Sequence, residues 1–210
     1  MTKFLSHCRK VLWQLSVKGL ERGPHITRYF MYERLCVVAA DFNSHLGRVL
    51  SISRSTSLVK LLQLQPDEVV EADYPEYNVL DLAFEDASFD FILLDQVLEH
   101  VEGSPQQAID ECLRVLKPGG VMVLTTCFMN PVHAAPGDYW RFTSDALCHL
   151  CRQFSKIIDC DGWGNFETWL LVRDGLRWEG IPHATWHPLN RLARRNDPEW
   201  PIVTWIVAQK

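Results

Sequence analysis

The 38 residues FDFILLDQVLEHVEGSPQQAIDECLRVLKPGGVMVLTT, at positions 89–126, have the pattern of a strand, a helix and a second strand. The first ten are mostly apolar, as expected for a strand covered on both faces. Ser104 is a good N-cap, and Pro105 suits the first helical position. The glycine pair 119–120 is predicted to stop the helix, and the β-branched segment that follows is predicted to be a strand.

The same alternation continues on both sides of this segment. A strand, a helix, a second strand and a short third strand or extended loop are predicted before it. A loop, a helix and two further strands are predicted after it. Strands that alternate with helices predict an α/β fold, a mostly parallel sheet with helices on both faces. In chain order the segments are RVLSIS (48–53), SLVKLLQLQ (57–65), DEVVEAD (67–73), NVLDL (78–82), the loop 129–142, the helix 143–153, KIIDC (156–160) and PIVTWIVAQK (201–210).

Composition limits the possible classes of protein. The 210 residues suffice for one α/β domain, and the net charge of -5 argues against a nucleic-acid partner. No apolar run reaches the roughly 18 residues of a membrane span. The seven cysteines are an odd number scattered through predicted helices and strands, which favours a reducing compartment and a cytoplasmic location. Cys148 and Cys151 form a CxxC pair in a predicted helix, where buried cysteines are favoured over a zinc site.

Acidic residues follow two of the predicted strands. In parallel sheets, ligands bind where the strands end, so these positions are candidates for binding. Asp73 lies 20 residues beyond Ser53, a spacing at which a carboxylate can accept both ribose hydroxyls of an adenosine cofactor. A carboxylate that only shapes a turn is the alternative. Asp81 follows the third predicted strand and could accept a hydrogen bond from an adenine amino group.

Two later segments offer catalytic side chains. Glu99 and His100 follow the fourth predicted strand and could do acid–base work, although capping of the neighbouring backbone is favoured. The loop NPVHAAPGDYWRFT (130–143) is polar and aromatic without periodicity. It is interpreted as a substrate pocket with His133 as general base, or alternatively as a packed lid filled by aromatic side chains.

Residues 89–126 resemble the core of class I S-adenosylmethionine (SAM)-dependent methyltransferases, and most closely the small methyltransferase type 11 group. The resemblance rests on the Phe-Asp strand, the VLEHV loop, the ExxRVLKPGG segment and the following strand, in this order. The segments ADYPEYNVLDLAF (72–84), PVHAAPGDYWRFT (131–143) and WPIVTWIVAQK (200–210) resemble a subset of these enzymes. The resemblance covers residues 46–160 well and 161–210 loosely.

The resemblance implies a Rossmann-like, seven-stranded and mostly parallel sheet with its last strand antiparallel. It implies a methyltransferase domain at 46–210, preceded by an N-terminal helical extension at 1–45 that is interrupted at Gly23-Pro24. It also implies SAM as cofactor, without a metal. The residues that match cofactor contacts are Asp73 for the ribose, Leu80, Asp81 and Leu82 for the adenine, and Asp95 and Gln96 beside the methionine portion.

The first loop departs from the family pattern, which resembles VLDIGCGTG. Here the sequence is VLSISRSTS (49–57), so the acidic position and all three glycine positions hold Ser51, Ser53, Ser55 and Ser57. A side chain forced into the left-handed region costs roughly 1–2 kcal/mol. Serine hydroxyls can donate to the methionine carboxylate of SAM, so the four serines are predicted to contact the cofactor. Arg54 could pair with that carboxylate or block the site.

The leading hypothesis is a SAM-dependent methyltransferase that acts on a small-molecule or sugar-like acceptor. His133 would be the base, and Asp138, Tyr139, Trp140 and Arg141 would shape the acceptor pocket. The alternative is a catalytically inactive protein of the same fold that serves as a binding or scaffold partner. An NAD-dependent dehydrogenase is less favoured, because it too needs a glycine-rich turn. The sequence does not indicate an oligomeric state.

Overall fold

The computed structural model describes residues 10–42, 46–134 and 136–210. The described residues contain seven helices: α1 (10–16), α2 (Tyr29–Ala39), α3 (Thr56–Leu61), α4 (Pro105–Val115), α5 (Ser144–Leu150), α6 (Phe166–Leu171) and α7 (Pro188–Arg194). They contain eight strands: β1 (Arg22–His25), β2 (Arg48–Ile52), β3 (Glu68–Ala72), β4 (Phe89–Asp95), β5 (Leu116–Cys127), β6 (Lys156–Trp163), β7 (Gly180–Pro182) and β8 (Val203–Gln209). None of these helices has the length and apolar character to span a membrane.

Six strands form one sheet in the order β3-β2-β4-β5-β8-β6. β2 runs parallel to β3 and β4, and β4 runs parallel to β5. β8 is antiparallel to both of its neighbours, β5 and β6. The predicted α/β class and the antiparallel last strand are therefore confirmed.

The central strand β4 shows why its sequence is apolar almost throughout. Phe91 and Leu93 pack into the hydrophobic cluster on one face of the sheet, which also receives α2. Ile92 and Leu94 pack into the cluster on the other face, which includes the apolar side of α4. A strand buried on both faces cannot alternate apolar and polar residues.

The segment NVLDL, predicted as a short third strand or extended loop, does not form a strand of the sheet. Residues 78–82 form a turn, in which the Asp81 N–H donates to the Asn78 carbonyl at 3.0 Å. The Asn78 side-chain oxygen accepts from the Leu80 N–H, also at 3.0 Å. An asparagine that bonds to the nearby backbone in this way competes with strand pairing. The main sheet thus has six strands among the described residues, where seven were expected.

The helix α4 begins as predicted and ends earlier. The Ser104 hydroxyl accepts from the Gln107 N–H, and Pro105 is the first helical residue. The helix ends at Val115, before the glycine pair that was expected to stop it. Leu116 already has extended backbone angles and pairs with Phe89, so β5 starts there.

The N-terminal segment packs on the sheet and is only partly helical. Tyr29, Met31 and Leu35 of α2 are buried in the same cluster as Val49 of β2. Gly23-Pro24, the predicted interruption, lies within β1, which pairs antiparallel with β7. Residues 1–9 and 43–45 of the predicted extension lie outside the described residues. The division at residue 45 stays a prediction.

The CxxC pair lies in and just after α5. Cys151 is fully buried at the end of this helix, in the cluster that also contains Cys112. Burial raises the pKa of the Cys151 thiol to about 12. A thiol that stays protonated is a poor metal ligand, which agrees with the predicted packing role.

Candidate active site

Three parallel strands end side by side at one edge of the sheet. Ile52, near the end of β2, is in register with Ala72 of β3 and with Leu94 of β4. The next residues along these strands are Ser53, Asp73 and Asp95. The fold therefore brings together three of the predicted cofactor segments, although 42 positions separate Ser53 from Asp95 in the sequence.

The loop after β2 keeps a glycine-type turn without glycines. Ser53 has φ 51° and Arg54 has φ 65°, both in the left-handed region. The Ser53 N–H donates to the Ala72 carbonyl at 3.0 Å, and the Arg54 N–H donates to Asp73 Oδ1 at 2.7 Å. These two bonds offset the conformational cost of roughly 1–2 kcal/mol per residue. Asp73 Oδ2 makes no hydrogen bond within the described part of the chain and remains able to accept one.

The Ser51 hydroxyl is directed into the protein. Ser51 is fully buried, and its Oγ lies 3.0 Å from the Thr56 hydroxyl oxygen. Thr56 in turn donates to Glu71 Oε1 at 2.9 Å. This chain of bonds links the ends of β2 and β3 through the start of α3. The Ser51 hydroxyl therefore has a structural partner, and its predicted cofactor contact stays untested.

The Ser55 hydroxyl links β2 to β4. It donates to the Ile52 carbonyl at 2.5 Å and accepts from the Asp95 N–H at 2.8 Å. Ser55 is buried, whereas Ser53 is half-buried and Ser57 is exposed. Of the four serines, the structure therefore leaves Ser53 and Ser57 with access to the surface of this edge.

The end of β4 is held by a tyrosine that the sequence did not single out. Tyr32 of α2 donates to Asp95 Oδ2 at 2.6 Å, and Thr125 donates to Asp95 Oδ1 at 2.5 Å. The neighbouring Gln96 has φ 59° and donates from Nε2 to the Thr125 hydroxyl. Gln96 Oε1 is buried without a partner among the described residues. Tyr32 lies outside the segment that resembles the family core, so no motif pointed to it.

The predicted adenine segment divides between surface and interior. Asp81 is exposed and Leu80 is half-buried in the turn 78–82. Leu82 is buried in the core, where its N–H donates to Glu111 Oε2 at 2.8 Å. Leu80 and Asp81 are thus the members of this segment that reach the surface.

Glu99 holds the loop after β5 in place. Its carbonyl accepts from the N–H groups of Tyr139 and Trp140, and its Oε2 accepts from the Thr126 hydroxyl at 2.9 Å. Burial raises the pKa of this carboxyl, and Oε1 has no partner among the described residues. His100 contacts the Gly137 carbonyl through Nδ1. These contacts support the structural role that was favoured for both residues.

The loop itself is organised around Asp138. Its side chain is 2% exposed, and both of its oxygens contact the Arg141 guanidinium. The Asp138 Oδ2 also accepts from the backbone N–H of His133 at 2.7 Å. The Arg141 hydrogen bonds hold the pKa of Asp138 well below its usual range. Trp140 donates from its indole nitrogen to the Val101 carbonyl at 3.0 Å, which attaches the loop to the turn after β4.

His133 lies beside this ion pair with its imidazole partly shielded from water. Burial and the charge of Arg177 lower its pKa. The ring packs edge-on against His100, with 5.0 Å between the ring centroids. A neutral imidazole at pH 7 can accept a proton, as a general base must.

A cavity of about 530 Å³ opens next to this loop. Its size falls within the range of small-molecule sites. The walls combine aromatic rings with one ion pair, and they include Phe128, Tyr139, Trp169, Trp200, Asp138 and Arg141. The structure therefore brings Asp138, Tyr139 and Arg141 to one cavity, whereas Trp140 and His133 are not among the residues that line it.

Comparison with known proteins agrees with this architecture. Residues 35–124 match the family model described as "Methyltransferase domain". Over these residues the chain is similar to a methyltransferase domain. Its fold is similar to that of a SAM-dependent methyltransferase from Archaeoglobus fulgidus, with TM-score 0.55, 13% identity and coverage of 87% of this chain and 94% of that one. A putative S-adenosylmethionine-dependent methyltransferase from Listeria monocytogenes gives TM-score 0.56, 12% identity and coverage of 88% and 96%.

Curated relatives of the methyltransferase domain carry the name ubiquinone biosynthesis O-methyltransferase. The protein from Xanthomonas oryzae pv. oryzae (strain PXO99A) is 38% identical over 158 residues, which cover 72% of this chain and 64% of that protein. The protein from Alkalilimnicola ehrlichii is 30% identical over 157 residues, which cover 72% and 60%. The match thus spans less than two thirds of the length of these relatives.

Two hydrogen-bond acceptors at this edge of the sheet fit SAM, one after β3 and one after β4. Asp73 Oδ2 is a carboxylate oxygen available to ribose hydroxyls, directly beside the left-handed turn. Gln96 Oε1 is a buried acceptor without a partner in the described chain, as expected next to a group that donates, such as the ammonium of the methionine portion. The serine-containing loop therefore adopts a left-handed turn and leaves these two acceptors without a partner among the described residues.

Among the described residues, one group of side chains has the composition of a metal site. Ligand atoms of Glu99, Cys127 and His133 lie within 4.8 Å of one another. Burial raises the pKa of the Glu99 carboxyl, and it raises that of the Cys127 thiol to about 12. Burial thus disfavours the charged forms of both groups, which are the forms that bind metal ions. Their surroundings are better suited to neutral groups than to a cation.

Proposed function

We propose that this protein is a SAM-dependent methyltransferase that methylates a hydroxyl group of a small-molecule acceptor. The observation that carries the proposal is the loop after β2. It keeps the left-handed turn at Ser53 and Arg54, tied by a 2.7 Å hydrogen bond to Asp73. Retention of a costly backbone conformation without glycines is the pattern expected of a site that still binds its ligand.

The chain's own residues supply orientation and a base. SAM, when bound, supplies a methyl group on a sulfonium centre. Asp73 would hold the ribose hydroxyls, Asp81 would face the adenine, and Gln96 would accept from the methionine portion. Alignment of acceptor and methyl group accounts for most of the catalysis that such a transfer needs. His133 would take the hydroxyl proton, since its lowered pKa keeps the imidazole neutral.

The aromatic cavity supports a ring-shaped acceptor. Trp169 and Trp200 line it together with the Asp138–Arg141 pair. Aromatic walls stack against phenol-type rings, as in the ubiquinone precursors that the relatives' names indicate, and equally against the apolar face of a sugar. The proposal therefore includes both phenolic and sugar-like acceptors.

Calorimetric titration with SAM tests cofactor binding directly. The wild type is expected to bind SAM, and Asp73→Asn is expected to weaken binding by about tenfold or more, because a hydrogen bond to a charged group is lost. Asp145→Asn, an exposed position in α5, is the matched control and should leave the affinity unchanged. Folded protein that shows no binding at millimolar SAM would refute the proposal and favour the inactive scaffold.

Transfer of radiolabelled methyl from SAM to phenolic and monosaccharide panels then tests catalysis. His133→Gln is expected to lower kcat by about 100-fold while SAM affinity stays the same, since loss of a general base costs roughly 10²–10⁴ in rate. His149→Gln, at an exposed position, is the control. An unchanged kcat in His133→Gln would exclude His133 as the base.

A further inference from the structure

Two arginines from opposite ends of the chain come together next to the candidate active site. The pairing of β1 with β7 brings the segment after β1 close to the segment before β7. Arg28 lies in the first segment and Arg177 in the second. Burial lowers the pKa of His25 to about 3, together with the charges of Arg28 and Arg177. Both arginines therefore act on the same imidazole.

Arg28 is an unusually buried cation. The residue is only 7% exposed, yet among the described residues its one side-chain hydrogen bond is to a neutral group, the Thr27 carbonyl, at 3.5 Å. Within the described part of the chain it forms no ion pair with a carboxylate. Buried charges in proteins are normally paired, since an uncompensated one costs several kcal/mol. Arg28 therefore lacks the anion that its burial calls for.

Arg177 is in the same situation. Its guanidinium stacks over the Trp178 ring at 4.6 Å, and both of its terminal nitrogens lie 3.1–3.2 Å from the side-chain amide of Asn130, in the amide orientation that presents the oxygen to them. Its Nε is buried without a hydrogen-bond partner among the described residues. Burial and the charge of Arg28 lower the pKa of this guanidinium. An acceptor is thus missing at a second cation, which is still partly open to solvent.

The nearby carboxylates do not neutralise these two charges. Asp138 is already engaged by Arg141 through both oxygens. Burial raises the pKa of the Glu99 carboxyl, and among the described residues neither of its oxygens forms an ion pair with Arg28 or Arg177. The two guanidiniums therefore lie in a partly buried place without an ion-paired carboxylate.

The position of the pair connects the two parts of the site. The Arg28 carbonyl accepts from the Tyr32 N–H at 2.9 Å, and the Tyr32 hydroxyl donates to Asp95 at the end of β4. Arg177 bonds to Asn130, which also lines the 530 Å³ cavity. An anion held by the two guanidiniums would lie between the cofactor edge and the cavity.

We propose that Arg28 and Arg177 bind a carboxylate or phosphate group of the methyl acceptor, so that the acceptor is an anionic molecule. This inference rests on the proposed function, since it specifies the substrate class of the same site. Guanidinium groups suit this task because their planar donors match the oxygens of carboxylate and phosphate. The carboxylate of SAM itself has the same chemistry and is the competing source of the anion.

The first test compares ligands that differ in charge. Phenyl phosphate and benzoate are titrated into the full chain by calorimetry, with benzamide as the neutral counterpart. The two anions are expected to bind at least tenfold more tightly than benzamide, and Arg177→Met should abolish this preference. Arg191→Met, an exposed position on α7, should retain it. Equal binding of benzoate and benzamide to the wild type would overturn the proposal.

Thermal unfolding without ligand checks that the variant folds and adds a second readout. Removal of an unpaired, partly buried cation is expected to leave the Tm of Arg177→Met at or above that of the wild type, whereas loss of a purely structural contact would lower it. Phenyl phosphate should raise the Tm of the wild type and not that of the variant. A lowered Tm with unchanged anion binding would refute the site.

Titration with S-adenosylhomocysteine distinguishes the two sources of the anion. If Arg177 serves the acceptor, the variant binds S-adenosylhomocysteine as the wild type does, and benzoate binds alongside it. Competition between the two ligands, with affinity for both lost in Arg177→Met, would assign the arginines to the cofactor and overturn the proposal. A wild type that binds phenyl phosphate but not SAM would refute the proposed function while keeping the anion site.

Discussion

Replacement of Ser53 and Ser55 by glycine is expected to change the free energy of unfolding in opposite directions. Ser53 has φ 51°, where a side chain costs roughly 1–2 kcal/mol. Glycine removes this cost but adds about 0.4–1 kcal/mol of conformational entropy to the unfolded chain. The net effect of Ser53→Gly is a stabilisation of about 0.5–1 kcal/mol.

Ser55 has φ -75°, so glycine relieves no strain there. Its buried hydroxyl donates to the Ile52 carbonyl and accepts from the Asp95 N–H. Removal of the hydroxyl leaves two polar groups without a partner at a buried place, and each such group costs about 1–3 kcal/mol unless it finds another partner. Ser55→Gly is therefore expected to destabilise the protein by about 2–3 kcal/mol.

Urea unfolding, followed by the fluorescence of the buried Trp163 and Trp205, measures both effects. With an m-value of about 2 kcal/mol/M, the midpoint should rise by about 0.3–0.5 M in Ser53→Gly and fall by about 1 M or more in Ser55→Gly. Ser57→Ala, at an exposed position, should change stability by less than about 0.5 kcal/mol. Midpoints that move in the same direction for both glycine variants would refute the reasoning from backbone angle and buried hydroxyl.

Three further changes test other contacts of the site. Asp138→Asn should lower the free energy of unfolding by about 1–3 kcal/mol at pH 7, because the partly solvated Arg141 loses its carboxylate. Because the pKa of Asp138 is lowered in the folded state, the difference in free energy of unfolding between this variant and the wild type should shrink as the pH falls below about 4. Urea titrations at several pH values measure this difference. Glu99→Gln should flatten the pH dependence of Tm above about pH 4, because the raised pKa of Glu99 makes the wild type lose stability as pH rises. Tyr32→Phe should destabilise the folded protein by about 1–3 kcal/mol, since the Asp95 carboxylate loses a charge-assisted hydrogen bond. Thermal unfolding measures this effect, and an unchanged Tm would contradict the role of Tyr32.

Local signals were sufficient for most of the fold. The Ser104 cap and Pro105 marked the start of α4, because both act within one helical turn. The apolar run of β4 indicated a strand covered on both faces. Residues 78–82 do not form a strand, because the Asn78 side chain bonds to the backbone two residues further on. The rest of the segment has a composition that suggests an extended chain.

The candidate site was only partly predictable. Asp73 was found from its spacing to the first loop, and the loop around His133 from its composition. Tyr32, Arg28 and Arg177 were missed, because their roles depend on partners far away in the sequence. The hydroxyl of Ser55 was expected to face the cofactor, whereas the fold turns it inward to Asp95, 40 positions further along the chain.

The sequence by itself therefore determined the α/β alternation, the order of segments that resembles the methyltransferase core, and the set of polar residues at strand ends. These follow from periodicity and capping, which act over a few residues. Tertiary structure decided which of these side chains remain available. Strand register placed Ser53, Asp73 and Asp95 side by side, internal hydrogen bonds engaged Ser51 and Ser55, and the pairing of β1 with β7 brought two arginines together without a carboxylate. Such outcomes depend on contacts between distant segments, so no local pattern in the chain encodes them.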